Sequence, residues 1–331
     1  MVKERLHDID VAKGFAIFLV VFGHIVARPP VPAGNEWYLI LKYLIYKFHM
    51  PFFMFLSGLI MYYSYKPVGN LNDYYYYVKK KFMRLIPAFL LFGIIIGVGK
   101  YIFKNFMYVD NAIADPFVGF MNLLIRPMYS YAASLWYVYV LFSYFFIMPL
   151  LIKLVKGNLK VLIFIGALVH FVPMTKYFAI DLVLEYMFVF SLGMFCADNI
   201  ISYQKFLDKN MIVFTVLFLL SLVLAFAPIG QDVSKFFIGI FSIPAIWAIV
   251  RNARFFSLKF WEILGKYTFP IYLMNTIAIG LAKGVMTKFM PWDGVNFLII
   301  APILLLSGVY LPIIVKTMIF SKVPVLDNIT N

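Results

Sequence analysis

An all-α, polytopic membrane protein with about ten transmembrane helices in one bundle is the fold this sequence predicts, and three observations predict it. Of 331 residues, 64% are Ala, Val, Ile, Leu, Met, Phe, Trp, Tyr or Cys and only 13% are charged, against roughly 25% charged in an ordinary soluble domain. Mean hydropathy is +0.91, more apolar surface than a globule of this size can hide. The apolar residues come in long continuous runs, which excludes a β-barrel of short alternating strands. A soluble enzyme, a disordered chain and a nucleic-acid module are excluded on the same grounds. The net charge of +14 then reads as a topology and membrane-surface signal, with membrane lipids as partners and no nucleic acid.

A spanning helix needs about 20 residues. Runs bounded by charge, proline and glycine place the spans near residues 11–27, 44–64, 85–103, 132–152, 159–173, 178–197, 211–228, 236–250, 267–283 and 296–319. With the N-terminus in the cytoplasm, 19 of the 29 Lys and Arg fall on the cytoplasmic side and 10 on the other, so both ends are expected inside. Residues 1–331 read as a single membrane-embedded domain, with no cleavable signal peptide, no fixed-period repeat and no long linker. Cys196 is the only cysteine and reads as inert packing. Tyr74 to Tyr77 beside Lys79 to Lys81 fit an interfacial aromatic belt with a basic skirt.

The informative residues are the polar ones at membrane depth. In the first span Lys13 and His24 are eleven residues apart, which returns to nearly the same helical face about 16 Å along the axis. Asp10, three residues before Lys13, can pair with it. Gly14 and Gly23 allow a neighbour to approach closely. The second span brings His49 in from the external side, ahead of Pro51, towards the end where the first span delivers His24. Two histidines do not make a metal site, and no His or Cys cluster adds ligands, so acid–base chemistry is favoured over metal. Interhelical hydrogen bonding or a proline kink would use the same histidines structurally.

Lys80, Lys81 and Arg84 stand at the expected cytoplasmic mouth of the third span. Lys81 and Arg84 share a face suited to a polyanion such as the phosphates of a nucleotide cofactor, and a lipid-phosphate anchor would look much the same. Asp181 and Glu185 share a face of the sixth span, where two acids need a polar cavity or cations such as Lys176. Trp136 opens the fourth span as aromatic belt or sugar platform, and Asn275 is a buried amide after Pro270 in the ninth. His7 and His170 read as solvated or structural.

With these residues the sequence resembles the integral membrane acyltransferase-3 family, closest to its fucose 4-O-acetylase-like branch. The likeness runs from Arg5, Asp10, Lys13-Gly14 and Gly23-His24 through Phe48-His49-Met50-Pro51-Phe52-Phe53 and Ser57-Gly58. It continues with Lys81-x-x-Arg84 and Pro87, Leu135-Trp136-Tyr137, Gly193, Gly265-Lys266-Tyr267-Thr268 and Ile271-Tyr272-Leu273. Many members have arginine at the place of Lys13 and histidine at that of Asn275, and no esterase-like domain follows the tenth span.

The resemblance implies a multi-pass protein of the cell (plasma or inner) membrane. It would move an acyl group, commonly acetyl, from cytoplasmic acyl-CoA to a carbohydrate hydroxyl on the extracytoplasmic side. Acetyl-CoA would be a co-substrate and no cofactor would be permanently bound. The acceptor would be a surface polysaccharide, a lipid-linked oligosaccharide or a small sugar, and a homo-oligomer is compatible. His24, His49, Lys13 and Asp10 are then the catalytic candidates, with His24 as general base. Lys80, Lys81 and Arg84 would hold the donor, and Trp136, Asp181, Glu185 and Asn275 the acceptor. Direct transfer and an acyl-histidine intermediate both fit the pattern. The alternative reading is a transporter or flippase of a glycan or lipid-linked sugar.

Overall fold

The computed structural model describes residues 7–27, 31–106, 109 and 115–330. Among these every regular element is helical. The principal helices are α1 (His7–His24), α2 (Glu36–Tyr63), α3 (Leu71–Phe103), α4 (Pro116–Ile125), α5 (Trp136–Leu154), α6 (Leu159–Val169) and α7 (Ile180–Asp198). They continue as α8 (Ile200–Lys209), α9 (Met211–Ser221), α10 (Gln231–Asn252), α11 (Lys259–Lys266), α12 (Thr268–Met286), α13 (Val295–Met318) and α14 (Pro324–Ile329).

Each of the ten apolar runs falls on a helix, but the helices are not ten equal spans. Among the described residues seven are long and apolar enough to cross a membrane, and eight if α8 and α9, bent by 77° against each other, make one broken span. Helix α1 misses that standard because Asp8, Asp10 and Lys13 lie within its 18 residues. Helix α6 misses it because it has only 11 residues. The third run starts much earlier than its apolar stretch: α3 has 33 residues and opens at Asn70, whose side chain accepts from the Asp73 backbone N–H in a capping box. Lys80, Lys81 and Arg84 therefore lie about three turns inside the helix, just ahead of its apolar stretch. Of the charges used for the topology, Lys3, Arg5 and Arg28 lie outside the described residues.

Prolines 51, 87, 149, 244, 302 and 312 stand inside helices, which packed membrane helices tolerate because neighbours satisfy the released carbonyls. Glycine sets the closest crossings. A Cβ at Gly58 would overlap the Phe190 carbonyl, and one at Gly193 the Phe55 carbonyl, so the backbones of α2 and α7 touch. The same reciprocal contact joins α1 to α11, where Gly14 meets the Trp261 carbonyl and Gly265 the Asp10 carbonyl. Helix α12 thereby continues upward beside α1.

Three buried or clustered charges hold the periphery. Arg251 bonds Asp8 at 2.6 Å and Asp208 at 3.0 Å, tying α10 to α1 and α8. Lys316 clips α14 back through Asp327 at 2.8 Å. Lys47 is 1% exposed and donates to Ser234 at 2.9 Å and to Gln231 on α10.

Candidate active site

The geometry builds outward from His24, the last residue of α1. Its Nδ1 lies 2.7 Å from Oδ1 of Asn275. The orientation of that amide follows from its other contacts: Asn275 Nδ2 lies 2.9 Å from the Ile271 carbonyl and 2.8 Å from that of Tyr272. Carbonyls only accept, so the NH₂ faces them and the oxygen faces the ring. Nδ1 of His24 must then carry the proton and donate it, which leaves Nε2 of the neutral ring as a lone-pair acceptor. Asn275 is fully buried. Asn275, expected at the acceptor, contacts the His24 ring.

The end of α1 is fixed from α2. Tyr38 donates to the Phe22 carbonyl at 2.6 Å, Tyr46 donates to that of Gly23 at 3.0 Å, and Lys42 donates to that of Val26. The first two satisfy carbonyls of the last turn of α1, and Lys42 holds the chain just beyond it. Gly23 is required here, because a Cβ would overlap the Tyr46 ring. The other face of Tyr46 packs on His49, with ring centroids 4.8 Å apart. His49 is buried and donates Nδ1–H to the Ile45 carbonyl at 2.8 Å. So Tyr46 links His49, through its ring, to the Gly23 carbonyl next to His24 in the chain.

Asp10 and Lys13 form the expected pair at 3.0 Å, with side chains 10% and 25% exposed. They lie where α11 presses on α1 through Gly14 and Gly265, about 16 Å below His24 along the helix. Lys81 points into the bundle, its Nζ 4.3 Å from the Phe145 ring centroid and 5.6 Å from that of Tyr77. Arg84 lies over Phe269 at 5.9 Å, beside the start of α12. Lys80 is exposed and does not share their face.

Between these groups runs a polar line that single-residue reading did not find. The Tyr137 and Ser57 hydroxyls are 2.7 Å apart. The Tyr137 ring meets that of Tyr272 at 5.2 Å, and Tyr272 is three residues before Asn275 on α12. The signal was present in Ser57-Gly58, Trp136-Tyr137 and Tyr272, each adjacent to residues that were singled out.

The acids of α7 stay apart from this line. Asp181 pairs with Lys176 at 3.5 Å, as expected, and Glu185 pairs with Lys235 at 3.1 Å. Trp136 stacks on Tyr186, with centroids 5.6 Å apart and planes within 23°. His170 faces the Glu185 and Asp232 carbonyls and joins α6 to α7 and α10. These residues form a second polar cluster between α5, α7 and α10.

A multi-pass helical membrane protein with an oriented imidazole in its core is the class this architecture defines. The acyltransferase domain model of the Acyl_transf_3 family matches residues 6–317, and the chain belongs to that family. It is a membrane acyltransferase. No curated protein and no solved structure matches the chain.

Proposed function

We propose that residues 1–331 act as one membrane-embedded domain that moves an acetyl group from cytoplasmic acyl-CoA to a carbohydrate hydroxyl on the opposite side of the membrane. The reading takes ten passes with both ends cytoplasmic, as the 19-to-10 charge split favours. The observation that carries it is the bond from His24 to Asn275 at 2.7 Å. A fixed Nδ1–H tautomer presents Nε2 as a base without a rotamer or proton search, the role a third group serves in nucleophile–base–orienter sets.

The acceptor hydroxyl gives its proton to Nε2 while its oxygen attacks the thioester carbonyl carbon. The carbon–sulfur bond breaks, and Nε2 returns the proton to the departing CoA thiolate. The products are an O-acyl sugar and free CoA, and the base is regenerated. Positioned base catalysis of this kind contributes about 10²–10⁴-fold. His49 orients the acceptor or the His24 ring through Tyr46. Lys81 and Arg84, with Lys80 at the surface, attract the CoA phosphates, and Asp10–Lys13 forms the charged foot of the His24 stripe. Trp136 on Tyr186 offers the flat face a sugar packs against. The Lys13-Gly14 likeness to the fucose 4-O-acetylase-like branch supports a sugar as acceptor.

The test is the purified protein with labelled acetyl-CoA and a panel of glycans. Ester formation that disappears in His24→Ala supports the reading. A protein that carries a glycan across vesicle membranes without consuming acetyl-CoA would be a transporter instead.

A further inference from the structure

We propose that a cavity at the opposite end of the bundle, where α2, α5 and α7 terminate, is the docking site for the adenine nucleotide of the acyl donor. The proposal rests on the reading of the donor as an acyl-CoA. The cavity holds about 490 Å³ and is walled in part by Tyr62, Tyr65, Lys153, Lys156, Gly157 and Asp198. Neither His24 nor any other residue of the polar line borders it.

Its chemistry matches one ligand class. The Tyr62 and Tyr65 rings lie within 21° of parallel at 6.1 Å, a shelf on which a base can stack. The cavity is bordered by the C-terminal ends of α2, α5 and α7, and the last carbonyls of α2 and α5 already accept from the backbone N–H groups of Ser64, Tyr65, Val155, Lys156 and Gly157. The negative ends of the helix dipoles oppose a bare phosphate. Positive charge for the phosphates comes from Lys153 and Lys156, both exposed. Among the described residues Lys153 donates to the Gly69 carbonyl at 3.4 Å, a long bond. Asp198 supplies a carboxylate for a ribose hydroxyl, a pairing that nucleotide sites use elsewhere. A phospholipid headgroup would use the lysines and leave the aromatic shelf idle.

Lys156 at φ 51° and Gly157 at φ 78° close α5 in a Schellman cap, with Gly157 N–H on the Ile152 carbonyl and Lys156 N–H on that of Lys153, which fixes where the Lys156 side chain leaves the helix. One further observation points the same way. Among the described residues the buried Tyr77 hydroxyl has no hydrogen-bond partner. The Tyr77 ring meets Tyr65 of the cavity wall edge-on at 6.1 Å, and Lys81 Nζ lies 5.6 Å from its centroid. An unsatisfied donor thus stands between the cavity and the Lys81–Arg84 pair. From Tyr62 to His49 along α2 is about 20 Å at 1.5 Å per residue, a distance an extended phosphopantetheine arm covers. The nucleotide would bind at the mouth, the diphosphate beside Tyr77 and Lys81, and the thioester near His24.

The probe is adenosine 3′,5′-bisphosphate, which carries no thioester and reads the cavity independently of transfer. Full-length protein in nanodiscs should bind it. Lys153→Gln with Lys156→Asn, the latter tolerant of positive φ, should weaken its Kd about tenfold or more, and Tyr65→Leu should weaken it comparably. Lys81→Ala should affect acetyl-CoA much more than the bisphosphate. In the unmutated protein, bound bisphosphate should also protect Lys153 and Lys156, but not Lys205 or Lys209, from an amine-acylating reagent.

Unchanged affinity in the double variant, or no protection, would overturn the proposal. So would displacement of the probe by anionic phospholipid, which would mark a headgroup site. Acetyl-CoA transfer by a protein that does not bind the bisphosphate would sink the cavity and spare the donor reading. A protein that neither binds nor consumes acetyl-CoA would sink both.

Discussion

The seam of α1, α11 and α12 and the first half of α3 carry the same kind of residue, charged or titratable groups within apolar helices, and treat them in opposite ways. In the seam, glycine brings backbones into contact at Gly14 and Gly265. Ala12, Ala16, Ile17, Ile271, Leu273 and Asn275 are fully buried there. Every polar group of the seam that bears on His24 has a defined partner. In α3 the helix runs along the outside, with Tyr75, Tyr76, Phe82 and Met83 exposed, and Lys81 is met by aromatic ring faces. Ring faces attract a cation without fixing its direction, whereas the amide of Asn275 fixes a ring nitrogen. One region is built to hold a proton acceptor still; the other offers charge to a ligand that must arrive and leave.

That contrast is broken most severely by His24→Ala. The protein should fold and bind acetyl-CoA, with turnover down by at least about 10²-fold, the low end for a positioned base. Near-normal turnover would reduce the seam to packing. Next in its effect on turnover is Asn275→Leu, which keeps the ring and removes its orienter. Misplacement of a catalytic group by about 1 Å can cost 10²-fold, so kcat should fall by up to that factor while acetyl-CoA affinity holds. A loss of affinity with kcat intact would make Asn275 a binding residue after all.

Neutralising Lys81 and Arg84 together should do the reverse. Charge-assisted hydrogen bonds contribute about 1.5–3 kcal/mol each, so losing both should drop acetyl-CoA affinity about a hundredfold or more in a protein that still inserts. Unchanged affinity would assign the pair to membrane anchoring. His49→Ala should be the mildest of the four, retaining more activity than His24→Ala and showing part of its loss as a raised KM for the acceptor. If His49→Ala is dead and His24→Ala active, the two histidines exchange roles.

What was readable in the sequence follows the range of the interaction. Asp10 and Lys13 are three residues apart, and local helical geometry alone predicts their 3.0 Å pair. The register of His24 above Lys13 is legible for the same reason. The partner of His24 is 251 residues away, and nothing in a helix period reports which residue of the ninth apolar run will face the first. Asn275 drew notice as a buried amide but was assigned to the acceptor. Glu185 likewise finds Lys235 across 50 residues instead of a local cation. The length of α3 was hidden because Leu71 to Arg84 is polar and aromatic rather than aliphatic, so hydropathy located the lipid-facing stretch and not the helix. Lys47 shows the converse: charge alone suggests a surface, and only packing against Gln231 and Ser234 reveals a buried cation.

The central claim is a protonation state, and it can be observed directly. The chain has four histidines, so nitrogen-15 solid-state NMR of histidine-labelled protein in lipid bilayers yields few ring signals, and His24→Ala identifies the one of interest. The account predicts a neutral His24 ring with the proton on Nδ1 and an unprotonated Nε2, and loss of that single-tautomer signature in Asn275→Leu. A His24 ring protonated on Nε2, or one whose tautomer is unmoved by Asn275→Leu, would contradict it.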